Sequence, residues 1–151
     1  MLAARPLEVL RPVEPELARF ELAAPSYASA ALLAYHARRE VPVFGAGSSH
    51  ARQDDFRTDW RRRDGRDLLL LRRDLPAERD LRPYFRAVEA REFEVRGARF
   101  HAVLGRGFDF AAYRRGVLEP VRARYYAIPA WLPVGRCLFC ERYFGAATCG
   151  R

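Results

Sequence analysis

Three groups of residues in this sequence have types and spacings that could do chemistry. The first is the loop Gly45-Ala46-Gly47-Ser48-Ser49-His50, followed closely by Arg52. Backbone N–H groups at a helix N-terminus hold anions, so Gly45, Gly47, Ser48, Ser49, His50 and Arg52 form a candidate ligand-binding loop. It fits neither nucleotide pattern. The third glycine of a dinucleotide fingerprint would fall at His50, and no Gly-Lys-Ser/Thr follows. Asp54 and Asp55 fall in the first turn of the next helix, where they complement the helix dipole and repel phosphate. Tight nucleotide binding is therefore not expected. A small enzyme site built from His50, Arg52 and Asp54 is the weaker alternative.

The second group is Cys137-x-x-Cys140. A zinc site needs four ligands, and Cys149 without a nearby His leaves this set one short. The pair is expected to be a disulfide or two inert thiols, with no metal. The third group is aromatic: Tyr125, Tyr126, Trp131, Phe139, Tyr143 and Phe144, interleaved with Arg136 and Arg142 and broken by Pro129 and Pro133. Such rings favour the boundary between water and lipid, and Arg meets phosphates or carboxylates. These eight residues are candidate contacts with a membrane or partner; the bland alternative is a tail folded over the sheet. His36, His50 and His101 fall on different elements, His101 on the solvent side of its strand opposite Phe100. No catalytic residue, metal or cofactor is assigned.

The elements that must position these groups centre on Val41–Phe44 and Leu68–Leu71, two continuous apolar runs of strand length. The segment between them carries Phe56 and Trp60 at i, i+4, which predicts one crossover helix ending at Asp64-Gly65. Strands so joined are most simply parallel neighbours, and unbroken hydrophobicity implies a sheet covered on both faces. The loop then leaves the carboxyl end of a strand, where open α/β sheets bind ligands. Alternation predicts a strand over 17–23. Pro25 opens a helix whose apolar face is Ala28, Ala31, Leu32 and Tyr35. Leu81, Tyr84, Phe85 and Val88 predict a third helix, capped by Asp80. Residues 92–104 read as a β-hairpin turning at Gly97, with Phe93, Val95, Phe100, Ala102 and Leu104 inward. A fourth helix runs from Phe110 to about Tyr126, kinked by Pro120. The fold class is α/β: a small mixed, mostly parallel sheet with helices on both faces and a C-terminal β-hairpin and helix. Residues 1–16 are a leader, 17–126 the domain, and 127–151 the aromatic, proline-rich tail.

Length and charge bound the function. A chain of 151 residues with a 50% apolar share makes one globular domain. The 27 basic residues are all Arg, and the net charge of +8 favours phosphate or anionic lipid. No helix-turn-helix, RNP or zinc-finger pattern accompanies it, so nucleic acid is not the expected partner. No run reaches the roughly 18 apolar residues that span a bilayer, and no secretory h-region is present. Standing alone, such a chain is expected in the cytoplasm.

Three stretches together resemble a known family. They are Tyr27-Ala-Ser-Ala-Ala-Leu-Leu-Ala-Tyr-His36 with Val41–Gly45, Arg52–Asp59 with Asp64–Leu71, and Arg124–Pro133 with Cys137–Phe144. They resemble the soluble C-terminal domain of bacterial membrane glycosyltransferases of the protein-mannosyltransferase and aminoarabinose-transferase superfamily. The resemblance implies a small α/β cap on the periplasmic side of the inner membrane. The membrane part of such an enzyme moves a sugar from a polyprenyl phosphate to an acceptor. Its catalytic acids lie between transmembrane helices, so none carries over to this chain. The implied function is a non-catalytic accessory domain, partnered by the transmembrane portion or the membrane surface, including anionic lipid. A stand-alone module for anionic ligands is the alternative.

Overall fold

Four consecutive leucines make the central strand. In the computed structural model, which describes residues 6–46, 53–73, 78–129, 131–133 and 135–145, β2 spans Leu68–Arg72 and its leucines are all buried. Side chains alternate across a strand, so Leu68 and Leu70 enter one hydrophobic core while Leu69 and Leu71 enter a second on the opposite face. The continuous apolar run thus reflects cover on both faces, as expected.

β1 (Glu21–Ala23) pairs parallel with β2 on one side, and β4 (Ala98–Phe108) pairs antiparallel on the other. β3 (Phe85–Val95) forms the far edge, antiparallel to β4. The order is β1-β2-β4-β3. The fold is α/β with a mixed sheet and a C-terminal helix, but only β1–β2 is parallel, so the parallel share is smaller than expected. The reason lies at 41–44. This segment is not a strand: Val43 makes one isolated parallel bridge to Ala24, held by Ala24 N–H to Pro42 O (3.0 Å) and Phe44 N–H to Ala24 O (2.8 Å). Pro42 has no N–H to extend the ladder. The parallel partner of the leucine strand is β1 instead.

The hairpin is longer than its alternation suggested. Arg96 and Gly97 both take positive φ (51° and 75°), as a two-residue type I′ turn requires. Each strand runs eleven residues. The helix expected over 81–88 shrinks to α5 (Glu78–Leu81) and one 3₁₀ turn, Arg82–Tyr84, because Phe85 and Val88 belong to β3. Phe85 lies so close over Gly105 that a Cβ there would sit 2.6 Å from its ring. His101 is not on a solvent face: it is buried, and its Nδ1 lies 3.8 Å from Glu92 Oε2. Phe100 packs toward the second core as expected, but the opposite face is covered too.

The N-terminal leader has structure of its own: α1 (Pro6–Leu10), a 3₁₀ turn and α2 (Glu14–Leu17). It buries Val9, Leu10 and Val13 in the second core. Glu8 meets Arg96 at 2.6 Å, and Glu16 pairs with Arg91, which ties the leader to β3 and its turn. The strand expected over 17–23 is thereby reduced to its last three residues.

Helix α3 (Tyr27–Ala37) starts at Ser26, whose Oγ accepts the N–H of Ser29 at 3.3 Å. Its phase differs from the sequence reading. Ala30 and Leu33 face the core, while Ala28, Ala31, Leu32 and Tyr35 point outward. With no charged residue between Ser26 and Arg38, apolarity alone could not select the buried side. The expected crossover helix is also two pieces, α4 (Gln53–Arg57) and a 3₁₀ turn, Trp60–Arg63. Asp59 breaks it by capping the second piece, its Oδ1 accepting from Arg61 N–H at 3.2 Å. Trp60 is buried as expected, but Phe56 is 52% exposed.

On the first face, Trp60 packs against the rings of Phe44, Phe108 and Tyr113 at 4.9–5.6 Å between centroids. Asp109 caps α6 (Phe110–Tyr113), which passes through a π turn, Arg114–Leu118, into α7 (Glu119–Tyr125). The π turn ends just before Pro120, which removes the bond to Gly116, and so absorbs the expected kink. The tail closes this layer with α8 (Leu138–Phe144).

Candidate functional site

The described concavity lies between α3 and the start of α4. It has a volume of about 150 Å³, with Ala30, Ala31 and Ala34 on one wall and Glu40, Asp54 and Arg57 supplying its charge. Ala side chains at 30, 31 and 34 leave the space, and the chain reversal after α3 brings Glu40 beside it. Asp54 Oδ2 accepts the N–H of Val43 at 3.1 Å, which ties α4 to the segment bridging β1. Burial pushes the Asp54 carboxyl above the usual aspartate range. Hydrogen bonds from Val43 and Thr58 oppose that shift, and the charges of Asp55 and Glu40 add to it. Glu40 Oε1 accepts from Thr58 Oγ1 at 3.5 Å and lies 3.6 Å from an Arg63 amine. The cleft sets two carboxyls beside the Arg57 guanidinium. Ligand pockets usually run to about 300 Å³ or more, and this cleft is smaller than that.

Of the six candidate ligand residues in and after the loop only Gly45 lies among the described residues. Gly47, Ser48, Ser49, His50 and Arg52 lie outside them. Gly45 takes φ 93°, and its N–H donates to Tyr113 Oη at 2.9 Å, so that donor already has an acceptor. Asp54 of the suggested His50–Arg52–Asp54 grouping belongs to the cleft.

The structure divides the aromatic tail. Phe139 and Tyr143 are core residues. The Tyr143 hydroxyl donates to Thr58 O (2.9 Å) and accepts the N–H of Trp60 (3.1 Å); burial pushes its pKa up. Arg142 donates to the carbonyls of Asp55, Phe56 and Thr58 at 2.7–3.1 Å, satisfying groups that the end of α4 leaves open. Tyr126 stacks on Phe139 at 4.3 Å and donates to Asp55 Oδ2 at 2.7 Å. Tyr125 and Phe144 are half-buried against the core, with Arg114 and Arg122 over the Phe144 ring. Six of the eight expected contact residues therefore hold the domain together. Trp131, 80% exposed, and Arg136, bound to Glu141 at 2.7 Å, face solvent.

Cys137 and Cys140 are each disulfide-bonded. Cys137 caps α8, its Sγ accepting the N–H of Cys140 at 3.4 Å. Among the described residues no three His, Cys, Asp or Glu side chains cluster closely enough to hold a metal ion. None of their helices is long and apolar enough to cross a membrane.

A surface that sequence reasoning placed wrongly is the outer side of α3. Tyr27, Leu32 and Tyr35, the last 79% exposed, form with Ala31 an apolar strip beside the cleft. The signal was present in the sequence: eleven helical residues without a charge, apolar on more than one side.

Fold and site together define an α/β domain with a four-stranded mixed sheet and a small acidic cleft. No protein-family model matches the chain, and no curated protein or solved structure is similar to it.

Proposed function

We propose that this chain is a non-catalytic accessory domain that rests on an anionic membrane surface. Its setting would be the periplasmic cap of a polyprenyl-phosphate-sugar-dependent glycosyltransferase. The observation that carries the docking role is the outer face of α3, a helix without charge that leaves Tyr27, Leu32 and Tyr35 in water. A contiguous exposed apolar strip marks a protein or membrane contact. The net charge of +8 and the exposed Trp131 favour a surface bearing phosphates. The glycosyltransferase setting rests on the sequence resemblance alone. The cleft, below the usual size of a ligand pocket, favours an accessory role over a transferase one.

Vesicle flotation tests this reading. The chain should float with vesicles containing an anionic phospholipid at low salt and be released as salt rises. Leu32→Glu with Tyr35→Glu should abolish flotation while the circular dichroism spectrum is kept. No flotation at low salt, where such attraction is least screened, would overturn it. So would transfer from a polyprenyl-phosphate sugar by the purified chain.

A further inference from the structure

The docking role uses the outer face of α3 and leaves one edge of the sheet unused. Among the described residues β3 pairs with β4 alone and ends the sheet. It runs eleven residues, about twice the length of an ordinary strand. Folded proteins normally shorten, bulge or cover such an edge, or place Pro on it. Here the register with β4 is unbroken from Ala87 to Val95, and that stretch contains no Pro. Ala87, Glu89, Arg91, Glu92 and Glu94 are exposed. The turn fixes which backbone groups face outward. A two-residue turn closes on a hydrogen-bonded pair, Val95 with Ala98, and such pairs alternate along an antiparallel ladder. The odd-numbered residues from 87 to 95 therefore bond to β4, while Val88, Ala90, Glu92 and Glu94 turn their N–H and C=O groups away from it. The leader's ties to this hairpin, Glu16 to Arg91 and Glu8 to Arg96, join side chains and use none of these groups. An edge of this kind is a template for another strand.

We propose that the outer edge of β3 pairs with the same edge of a second copy of this chain, antiparallel about a two-fold axis at Ala90, so that two four-stranded sheets join into one. The charges of β3 select this partner. Centred on Ala90, Glu89 of each copy stands opposite Arg91 of the other, Val88 stands opposite Glu92, and Ala90 meets itself with little bulk between the backbones. Opposite charges facing each other across two strands stabilise the pair, and like charges destabilise it. Other centres fail on this ground. An axis at Glu89, Arg91, Glu92 or Glu94 sets that charge against itself, and one at Phe93 sets Glu92 against Glu94. An axis at Val88 brings no charges together. The residues that repel a foreign or slipped strand thus admit a single register of self-pairing. Within one chain Arg91 already reaches Glu89 at 2.7 Å, so both groups share a face and can re-pair across the axis. The opposite edge of the sheet, β1, has three residues, and the bridge from Ala24 to Val43 adjoins it. Association therefore stops at two copies.

The test is sedimentation velocity of the full chain without lipid, at concentrations from about 5 to 500 µM, which bracket the weak affinity of a small interface. The mass should rise from monomer to dimer and no further. In amide-exchange NMR, Val88, Ala90 and Glu92 should gain protection as concentration rises, while Glu89 and Arg91, already bonded to β4, gain far less. Glu89→Arg and Arg91→Glu, each with a native circular dichroism spectrum, should weaken the dimer at least about tenfold. An equimolar mixture of the two variants should restore it, because each copy then offers the charge that the other lacks. The proposal is overturned if the chain stays monomeric over the whole range or grows beyond a dimer. It is equally overturned if the charge variants dimerise like the native chain, or if their mixture does not recover. Should a variant fail to fold, the concentration dependence of protection at Val88, Ala90 and Glu92 in the native chain decides alone.

Discussion

Single side chains carry unequal weight on the two faces of this sheet. Trp60 touches three rings and is buried, so Trp60→Ala should lower stability by about 3–5 kcal/mol in urea unfolding. The same change at Phe56, one turn earlier but exposed, should stay within about 0.5 kcal/mol. Tyr143→Phe removes a hydroxyl that both donates and accepts in the core, leaving Trp60 N–H without its acceptor while Thr58 O keeps the Arg142 guanidinium. A loss of about 1–3 kcal/mol is expected. Asp54 links stability to pH. Its carboxyl is raised by burial in the native state, so the native chain holds this proton more tightly than the unfolded one. The resulting stability is complete below the ordinary aspartate range and is lost as pH rises through the raised native value. Asp54→Asn cannot ionise. Its stability relative to the native chain should therefore rise across that window, and unfolding midpoints at roughly pH 3 to 7 would reveal it. A difference independent of pH would show that Asp54 titrates normally.

At the scale of elements, the tail and the hairpin decide the outcome. Helix α8 supplies Phe139, Cys140 and Tyr143 to the first core and the guanidinium that finishes α4. Deleting the chain from Ala127 onward should leave an aggregating, poorly folded product by circular dichroism and light scattering. A truncated domain with a native spectrum would show that α8 is an appendage. In the hairpin, Gly105→Ala would drive a Cβ into the Phe85 ring. Overpacking of this kind costs about 1–3 kcal/mol, and an unchanged midpoint would mean that Phe85 turns aside without cost.

For the whole molecule, charge and cleft point to different ligands. The net charge of +8 attracts anions over long range, yet the concavity between α3 and α4 carries Glu40 and Asp54. Asp54 and Asp55 also occupy the first turn of α4. Calorimetric titration with ATP, NAD or a nucleotide-sugar should accordingly show no micromolar affinity, while anionic vesicles bind in a salt-dependent way. A tight nucleotide site would mean that the positive charge is focused at a place other than the outer face of α3.

What the sequence determined by itself is what local physics controls. Four adjacent leucines at strand length, closely preceded by Asp64-Gly65, read as a strand covered on both faces. Arg96-Gly97 can supply the two positive φ angles of a tight hairpin turn, and Pro120 must disturb the helix that contains it. Trp60 was legible as core from its place on the segment leading to the leucine strand, although Phe56, read as sharing its face, is exposed. Tertiary structure decided the choices that local pattern leaves degenerate. An uncharged α3 could bury either side, and packing distance to the sheet selected Ala30 and Leu33 over Leu32 and Tyr35. Val41–Phe44 has strand composition, but with Pro42 lacking an N–H it makes one bridge, to Ala24. The aromatics of the tail read equally as lipid anchors or as core. The tertiary structure buries Phe139 and Tyr143 and packs Tyr125, Tyr126 and Phe144 partly against the core, because burial depends on what lies opposite in space and not on neighbours in the chain.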